Sequence, residues 1–462
     1  MKKIGILLTV MALLMGSLMG CNSTSGNSST NVSGGGEKKG STSKDSSDKG
    51  SEDSETITLA RWGNELQIDG LDQTLSIWKE DHPNVNVEYT YTGGDDYPVK
   101  LQVWFSSDSC PDVLRNTSDI MYPFLNNGLF YDLTDYFEKD PDLSRDMWSD
   151  NVFSRYELEE GLIGIPVTQQ AYCIAYNKDV FDKAGVAYPE SDWTESEFLD
   201  LCKKLTFGKG VDKIYGLWMG GWVSEYVRCI YGEPLLYDAD KLVIQAKDNE
   251  RFRDALEMFG SLLKDGYCPN EINQTQTSGG FVTGQYAMGI VPTRATFAEF
   301  QTAIGKSFDW DVVELPYSEK WETTWNPNIR VNGWSASAKT KYPDTAWDLI
   351  KFLCTDTRAL DADSTAGVPV LKSYIESDNY ANNYYGYEDT GVKFDKSVAV
   401  HMADFAQPYE FAGFWSEIND NIKVTMDSYV RGDIDLDSAI DNLQTFGESA
   451  IAKHKKEKGI SN

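Results

Sequence analysis

From residue 55 onward, apolar and polar residues follow two different periods along the chain. Thr56–Arg61 and Val85–Tyr91 alternate polar and apolar side chains, which predicts two strands. Leu71–His82 and Tyr97–Phe105 carry apolar residues three and four positions apart, which predicts two helices. The short apolar run Pro111–Leu114 predicts a third, buried strand. Strands that alternate with helices in this way indicate an α/β fold whose parallel sheet is covered by helices.

The helical period recurs in four later segments. They are Ser196–Leu205, Asn249–Leu263, Asp344–Cys354 and Asp437–His454. A body of about 400 residues exceeds one usual hydrophobic core, so two domains are expected. No second linker rich in Ser and Gly separates them, which indicates that the domains are interleaved. Open α/β sheets bind ligands beyond the carboxyl ends of their strands, which makes the loops that begin at Trp62 and Asn116 candidates.

The first twenty residues have the pattern of a secretory signal peptide. Lys2 and Lys3 precede the uncharged apolar run Ile4–Leu14, as is typical of such signals. The run is too short to span a bilayer, which takes roughly 20 apolar residues. The ending Leu18–Cys21 resembles a bacterial lipobox, and this resemblance implies a diacylglycerol on Cys21, which becomes the mature N-terminus. An ordinary signal peptide with a chance cysteine is the alternative.

Residues 21–54 are predicted to form a flexible tether. Ser and Gly supply 17 of the 33 residues from Asn22 to Ser54, and Val32 is the only large apolar residue among them. Such a stretch cannot bury enough surface to offset its ordering entropy. Two acyl chains give stable anchoring. We therefore expect the protein on the extracytoplasmic face of the cell membrane, held there by its lipid.

Charge and cysteine content narrow the possible partners. The formal net charge of −30 argues against nucleic acid as a ligand, because an acidic chain repels phosphate. The cysteines after Cys21 are widely spaced and include no Cys-x-x-Cys pair. Disulfides are the alternative for an exported protein, but Cys202 and Cys354 lie at apolar positions of predicted helices, so we interpret the cysteines as buried free thiols. The chain has only 3 histidines, which argues against a Cys/His metal site. No cofactor is predicted.

Several short motifs follow one another in a specific order along residues 56–450. The strongest is Tyr176–Phe181, which reads Tyr-Asn-Lys-Asp-Val-Phe and is followed by Ala184-Gly185 and a helix led by Trp193. The others are Pro111-Asp112-Val113, Gly284-x-x-Ala287-Met288, Asn332-Gly333-Trp334 with Tyr342-Pro343-Asp344, and Gly367-Val368-Pro369. The ordered set resembles the extracellular solute-binding proteins of ABC transporters, in their large sugar-binding group.

This resemblance implies an α/β, periplasmic binding protein-like fold with two interleaved lobes, a hinge and a ligand cleft. The N-terminal lobe would hold residues 55–166 and 331–368, and the C-terminal lobe residues 167–330 and 369–462. The crossings would fall near Pro166, Asn328–Asn332 and Gly367–Pro369. The resemblance also implies a monomeric lipoprotein that captures an oligosaccharide and delivers it to the permease subunits of an ABC importer. A different solute is the alternative.

Sugar binding calls for two kinds of side chain. Aromatic rings cover the apolar face of a pyranose, and amide or charged groups pair with its hydroxyls. Both kinds occur in predicted loops, where packing or capping is the alternative role for each residue. The candidates are Trp62, Asn64, Glu65, Trp222, Asn332, Gly333, Trp334 and Trp415.

The resemblance adds further site candidates. Asn116 and Asp119 lie where maltose-binding members of the family have a Trp and a hydroxyl-binding Asp. Gln170, next to Gln169, lies where those members have a Glu, and Arg294 stands in place of a stacking Trp. Because Asn116 and Arg294 depart from the pattern, they favour a glycan other than maltose, such as one with a carboxylate that Arg294 could hold.

Enzyme motifs are missing from the sequence. It contains no Gly-x-Ser-x-Gly elbow, no P-loop and no His-Glu-x-x-His, so we predict a binding protein rather than an enzyme. Carboxylates are plentiful, which leaves a secreted glycoside hydrolase open as an alternative. The acidic run Asp433–Asp437 lacks the Gly and the distant Glu of a calcium loop. We interpret it as the first turn of a helix.

Overall fold

The structure is a computed structural model, and part of the chain is described by it. The described residues are 38–41, 55–63, 65–94, 96–117, 121, 124, 128–159, 161–220, 223–232, 243–269, 280–293, 296–325, 330–363, 367–383, 390–405 and 415–458. The predicted signal peptide, Cys21 and most of the tether lie outside them. Among the helices of the described ranges, none has both the length and the apolar character that crossing a membrane requires.

The strands of the described residues form two main sheets and two short hairpins. They are β1 (Lys38–Ser41), β2 (Glu55–Trp62), β3 (Val85–Thr92), β4 (Val113–Thr117), β5 (Glu157–Leu158), β6 (Gly161–Leu162), β7 (Ile165–Gln170), β8 (Tyr172–Asn177), β9 (Tyr215–Trp218), β10 (Tyr286–Pro292), β11 (Trp310–Val313), β12 (Tyr317–Ser318), β13 (Thr323–Thr324), β14 (Arg330–Ala336) and β15 (Val368–Pro369).

Helices connect most of these strands. They are α1 (Glu65–Asp81), α2 (Tyr97–Phe105), α3 (Thr134–Lys139), α4 (Asp150–Phe153), α5 (Lys178–Ala184), α6 (Glu195–Lys204), α7 (Val223–Cys229), α8 (Glu250–Lys264), α9 (Thr296–Ile304), α10 (Pro343–Thr355), α11 (Thr357–Ala362), α12 (Lys372–Ile375), α13 (Asp378–Asn382), α14 (Lys396–Phe405), α15 (Trp415–Arg431) and α16 (Leu436–Lys458). Short 3-10 turns span Arg145–Met147, Gly210–Asp212 and Phe281–Thr283.

Local sequence sets the ends of several helices. The side chain of Asn177 accepts the backbone N–H of Val180 at 3.2 Å and so caps α5, which ends at Gly185 in a left-handed conformation with φ of 66°. Thr194 and Glu197 form a capping box at the start of α6. The strands and helices that the periodicity predicts are confirmed in type, although α1 begins earlier than predicted, at Glu65, and β4 ends later than predicted, at Thr117.

The order of strands in the sheets explains how the chain is interleaved. The first sheet has the order β1-β3-β2-β4-β14-β7-β15, and the second has the order β11-β8-β10-β9. β2 pairs in parallel with β3 and β4, as the predicted alternation of strands and helices requires. β14 lies antiparallel between β4 and β7, so a strand from late in the chain completes a sheet begun early.

Two hydrophobic cores define two lobes. The core of the first lobe draws on residues 57–167 and 331–374, and that of the second lobe on residues 171–325 and 394–451. Among the described residues, the chain therefore passes between the two cores three times, in the intervals 167–171, 325–331 and 380–392. This is the α/β fold with two interleaved lobes that the motifs imply. The third interval lies later than the predicted crossing at Gly367–Pro369, because Val370, Leu371 and Tyr374 pack in the first core.

One stretch of the predicted tether is not a coil. Lys38–Ser41 forms β1 and pairs antiparallel with β3, with Lys38 opposite Tyr91 and Ser41 opposite Glu88. The prediction of a flexible tether is therefore wrong for these four residues. Their sequence has little strand propensity, but strand formation depends on the neighbouring strand as much as on propensity. The edge of β3 supplies that neighbour.

Five cysteines whose side chains the structure describes form no disulfide. Cys110, Cys173, Cys202, Cys268 and Cys354 are free thiols, and all but Cys110 are buried. Burial raises the pKa of these four buried thiols, which keeps them protonated and unreactive. The interpretation as buried thiols is confirmed for these four.

Candidate functional site

The ends of several strands meet between the two lobes. β2, β4 and β7 run in the same direction and end at Trp62, Thr117 and Gln170, at one edge of the first sheet. β9 and β10 of the second sheet end where β8 begins, next to Ala171. Ala171 and Thr293 exchange two hydrogen bonds there, of 2.9 and 3.0 Å. Open α/β sheets bind ligands beyond the carboxyl ends of their strands, so a ligand cleft is expected between these two edges.

Trp62 offers an aromatic surface at this edge. It is the last residue of β2 and is partly buried. Its ring centroid lies 5.1 Å from that of Tyr97, at an interplanar angle of 59°. Tyr97 is fully buried, and its hydroxyl donates to the carbonyl oxygen of Ala60 at 3.2 Å. Trp62 is thus supported on one side by a fixed ring, which suits a platform for an apolar sugar face.

Glu65 has a simpler role in the structure. It is exposed and lies in the first turn of α1. A carboxylate at this position interacts favourably with the partial positive charge of a helix N-terminus. The capping alternative therefore accounts for Glu65 without a ligand.

Asn116 and Gln169 carry buried amide atoms that lack partners. Asn116 is fully buried in β4, and neither its Nδ2 nor its Oδ1 has a hydrogen-bond partner among the described residues. The same is true of Oε1 of Gln169 in β7. Asn116 lies opposite Gly333, and Gln169 opposite Val331, so both amides share one face of the first sheet. Leaving such a group unsatisfied costs about 1–3 kcal/mol, and a polar ligand would remove that cost.

Gly333 makes room for a tyrosine. A Cβ at this position would lie 2.5 Å from the carbonyl oxygen of Ile165 and 2.5 Å from Cζ of Tyr156. The hydroxyl of Tyr156 lies 3.3 Å from the carbonyl oxygens of both Asn116 and Val331. The space that the missing side chain leaves is therefore filled by Tyr156, so packing accounts for the glycine, and a role of Gly333 in ligand binding stays a prediction.

Trp334 is a core residue. We expected it in a loop, where it would stack on a sugar, and that expectation is wrong. It lies in β14, is 1% exposed and belongs to the first core. The guanidinium of Arg115 lies 5.1 Å from the centroid of the Trp334 ring. One face of the ring is therefore already covered by a cation of the protein itself. The neighbouring glycine, which suggested a loop, instead accommodates Tyr156.

The remaining described candidates lie in strands next to the crossings. Asn332 is buried in β14, and its Nδ2 donates to Oγ1 of Thr168 at 3.0 Å. Gln170 is buried at the end of β7, opposite Arg330. The side-chain amide of Asn332 is thus already hydrogen-bonded to Thr168 of β7.

Two buried arginines escaped the sequence reasoning. Arg61 and Arg115 are each 2% exposed, and both approach one carboxylate, that of Asp363, at 3.4 and 3.8 Å. Burial lowers the pKa of the Arg115 guanidinium to about 10, an effect that Asp363 partly offsets. Arg61 and Arg115 occupy polar positions of strands that end at the cleft, and this was the one signal in the sequence that could have identified them.

Several candidates lie outside the described residues. They are Asn64, Asp119, Trp222 and Arg294. Trp415 begins α15, but its side chain is outside the description. These residues stay predictions.

No metal site is found in the described ranges, where no group of three or more His, Cys, Asp or Glu side chains could hold an ion. The acidic run Asp433–Asp437 has a structural role there. Oδ1 of Asp435 accepts the backbone N–H of Ser438 at 2.8 Å at the start of α16. The interpretation of this run as the first turn of a helix is confirmed.

Comparisons with known proteins agree with this architecture. A family model described as bacterial extracellular solute-binding protein matches residues 74–384. An uncharacterised lipoprotein of Streptomyces antibioticus is 29% identical over 138 residues, and that alignment covers 29% of this chain and 30% of the relative. The matched part is therefore less than a third of that relative's length.

Solved structures show the same fold. An ABC substrate-binding protein of Listeria monocytogenes in complex with cycloalternan is 20% identical, with a TM-score of 0.67 over 88% of this chain and 100% of that chain. A maltose/maltodextrin-binding domain of Bdellovibrio bacteriovorus bound to maltotriose is 17% identical, with a TM-score of 0.66 over 86% of this chain and 100% of that chain.

The family match covers more than half of the chain, and it coincides with a two-lobed α/β fold. A family of this kind binds solutes outside the cytoplasm and is not a class of enzymes. The chain belongs to the bacterial extracellular solute-binding proteins.

Proposed function

We propose that this protein binds a sugar, in the first place an oligosaccharide, and delivers it to the permease subunits of an ABC importer. The observation that carries the proposal is the pair of buried amides at the cleft edge. Asn116 offers an unpartnered donor and an unpartnered acceptor, and Gln169 offers an unpartnered acceptor. A sugar hydroxyl donates and accepts at once, so a ring with adjacent hydroxyls would satisfy both kinds of atom.

The surroundings of these amides support a sugar rather than an ion or a purely apolar solute. Trp62, supported by Tyr97, provides the flat apolar surface that the C–H face of a pyranose requires. Amides without formal charge suit neutral hydroxyls better than a free anion. The Listeria and Bdellovibrio proteins with this fold hold cycloalternan and maltotriose, which adds weight to the same class of ligand.

The mechanism follows from three crossings between two lobes. The open protein would bind sugar on the first lobe, through Trp62, Asn116 and Gln169. Closure would bring the second lobe onto the exposed side of the sugar and exclude water. A ligand shifts such an equilibrium only by its differential affinity for the closed state. The second lobe must therefore add contacts that exist only after closure, and the predicted Trp222 and Arg294 are the candidates for them.

Anchoring forms the second part of the proposal. A diacylglycerol on Cys21 would hold the protein at the extracytoplasmic face of the membrane, near the importer. The lipobox-like Leu18–Cys21 and the name of the Streptomyces relative, a lipoprotein, support this. We propose that the anchored protein acts as a monomer, because both lobes of the fold come from one chain.

A thermal-shift screen tests the function. The full-length protein, purified in detergent, would be heated with maltotriose, cycloalternan, neutral oligosaccharides of other linkages, and uronate-containing oligosaccharides. A ligand at 100 times its Kd stabilises the folded protein by about 2.7 kcal/mol, which gives a clear rise in Tm. Asn116→Leu should abolish that rise, whereas Gln102→Leu, at an exposed position of α2, should preserve it.

Two outcomes would count against the proposal. If no sugar raises Tm while amino acids or peptides do, the ligand belongs to another class. If incubation with an oligosaccharide releases new reducing ends, the alternative of a glycoside hydrolase is correct. Recovery of the intact sugar together with the Asn116-dependent rise in Tm is the expected result.

A further inference from the structure

A groove lies on the first lobe, at the end of the first sheet that is opposite the cleft edge. Its volume is about 790 Å³, and it lies between α10 and residues 131–141, which contain α3. The backbone N–H of Tyr131 donates to the carbonyl oxygen of Ala336 at 2.9 Å. Ala336 ends β14, whose first residue, Arg330, pairs with Gln170 at the cleft edge. A strand rises about 3.3 Å per residue, which places the groove roughly 20 Å from that edge.

Three aromatic side chains line this distal groove. The rings of Tyr136 and Trp347 are stacked, with centroids 5.7 Å apart and an interplanar angle of 30°. The ring of Tyr131 is tilted by 58° against that of Tyr136, with centroids 6.2 Å apart. Trp347 is buried, whereas both tyrosines are partly exposed. The buried indole therefore supports a corner of two tyrosine rings that a ligand can reach.

The distal groove and its rim carry more carboxylates than ammonium groups. The lining and the residues bonded to it include Asp132, Asp135, Asp140, Asp142 and Asp344, with Lys139 and Lys351. Loss of hydration raises the pKa of the nearby Asp348, and the negative charges of Asp344 and Asp140 add to the rise, against the effects of His82 and Lys351. An excess of one sign of charge in a concave site attracts the opposite sign. The distal groove therefore favours a cation.

The lysines of the distal groove are already paired. Nζ of Lys351 donates to Oδ1 of Asp140 at 2.8 Å and to Oδ2 of Asp142 at 2.9 Å. Nζ of Lys139 donates to Oδ2 of Asp135 at 2.6 Å. Both ammonium groups are thus bound by carboxylates of the protein, and the remaining negative charge is available to a ligand.

The other polar groups of the distal groove are paired as well. The hydroxyl of Tyr136 donates to Asp344. Oδ1 of Asp132 accepts the backbone N–H of Thr134 at 2.9 Å and its hydroxyl at 2.6 Å. A sugar or a primary amine would have to compete for these hydrogen bonds. A quaternary ammonium group has no N–H to satisfy, and it interacts through charge and through the faces of aromatic rings.

We propose that the distal groove is a second ligand site, separate from the cleft, and that it binds a quaternary ammonium group such as that of choline. The methyl groups of the cation would lie against Tyr131 and Tyr136, where the negative faces of the rings attract them. The carboxylates around the rings would supply the long-range attraction. A phosphocholine headgroup carries a phosphate that these carboxylates repel, so the ligand is a free cation rather than a membrane lipid.

Calorimetric titration of the full-length protein, purified in a nonionic polyoxyethylene detergent, tests the proposal. The probes are choline and 3,3-dimethylbutanol, which has the shape of choline but no charge. Choline should bind about tenfold more tightly than the alcohol, the effect expected of a cation over aromatic rings. Tyr136→Leu, which removes one ring, should weaken choline binding by about tenfold. Tyr136→Phe is the matched control, because it keeps the ring and should keep wild-type affinity.

A second pair of variants separates the distal groove from the cleft. Asn116→Leu should bind choline as the wild type does, and Tyr136→Leu should keep the sugar-induced rise in Tm. If Asn116→Leu loses choline and Tyr136→Leu retains it, the cation occupies the cleft and the second site is overturned. If Tyr136→Leu does not fold, Tyr131→Leu and its control Tyr131→Phe take the place of the Tyr136 variants.

Three further outcomes would overturn the proposal. The absence of choline binding to the wild type would exclude a quaternary ammonium site. Equal affinities for choline and 3,3-dimethylbutanol would show that the rings act only as an apolar surface. Binding of phosphatidylcholine vesicles without binding of choline would identify a lipid site instead. None of these results depends on sugar binding, so the proposed function can fail or succeed independently.

Discussion

Replacing Trp334 by alanine should destabilise the ligand-free protein by about 3–5 kcal/mol. The side chain is 1% exposed and packs in the first core within β14. Its loss removes the apolar transfer energy of an indole and leaves a cavity that a strand held on both sides cannot close. Arg115 loses the ring beneath its guanidinium, and a desolvated contact of this kind contributes about 2 kcal/mol or more. The upper half of the range is therefore expected.

Trp62→Ala is the matched control, because Trp62 is only partly buried and ends its strand. We expect Trp62→Ala to lower the free energy of unfolding by no more than about 1–2 kcal/mol, because Trp62 buries a smaller area than Trp334. The same variant should weaken sugar binding by about 1–3 kcal/mol. Urea denaturation followed by circular dichroism measures the stabilities, and calorimetry with a sugar from the screen measures affinity.

The opposite ranking would refute this reasoning. If Trp334→Ala keeps the wild-type urea midpoint and loses affinity for the sugar, Trp334 stacks on the ligand. The conformation in which Trp334 is buried in β14 would then not be the one that binds. If Trp334→Ala and Trp62→Ala lower the free energy of unfolding equally, Trp62 contributes to stability as a core residue does, in spite of its partial exposure.

Three further predictions concern other parts of the chain. Asn116→Leu should keep or raise the stability of the ligand-free protein by about 1 kcal/mol, because it replaces an unpartnered buried amide; a loss of more than that in urea denaturation would mean that the amide has a partner. Cys21→Ala should move the protein from the detergent phase to the aqueous phase in Triton X-114 partitioning, and equal partitioning of both forms would contradict lipidation. Burial lowers the pKa of Lys396 to about 8, so between about 8 and its ordinary value near 10.5 the folded state binds fewer protons than the unfolded state. The free energy of unfolding should therefore rise with pH across that window in urea titrations, and Lys396→Met should remove the rise.

Sequence patterns predict those parts of the fold that depend on neighbours along the chain. The helix Tyr97–Phe105 has the predicted limits because Pro98 sits in its first turn and its apolar spacing is regular. The parallel pairing of β2 with β3 and β4 follows from the alternation of strands and helices. The insertion of β14 between β4 and β7 depends on a contact some 200 residues away, and only the resemblance to a family anticipated the interleaving.

The site was harder to predict for the same reason. Alternation places Arg61 and Arg115 on one face of their strands, but it cannot tell that this face is covered and shared with Asp363. A glycine beside Trp334 suggests a loop, whereas the register of β14 brings Tyr156 to the glycine. Asn116 was singled out by its position in a motif, and the absence of partners for its amide emerges only when the surrounding strands are in place.

The pairing of Lys38–Ser41 with β3 has a consequence for handling the protein. β3 would be the last strand of the first sheet without it, with the backbone groups of Glu88–Tyr91 open along one side. The opposite margin ends in β15, which has only two residues. A bare, regular edge such as that of β3 recruits the same edge of another copy and leads to aggregation. A truncated chain that begins at Glu55 is the natural choice for obtaining a lipid-free sample. It should self-associate through β3, whereas a chain that begins before Lys38 should stay monomeric.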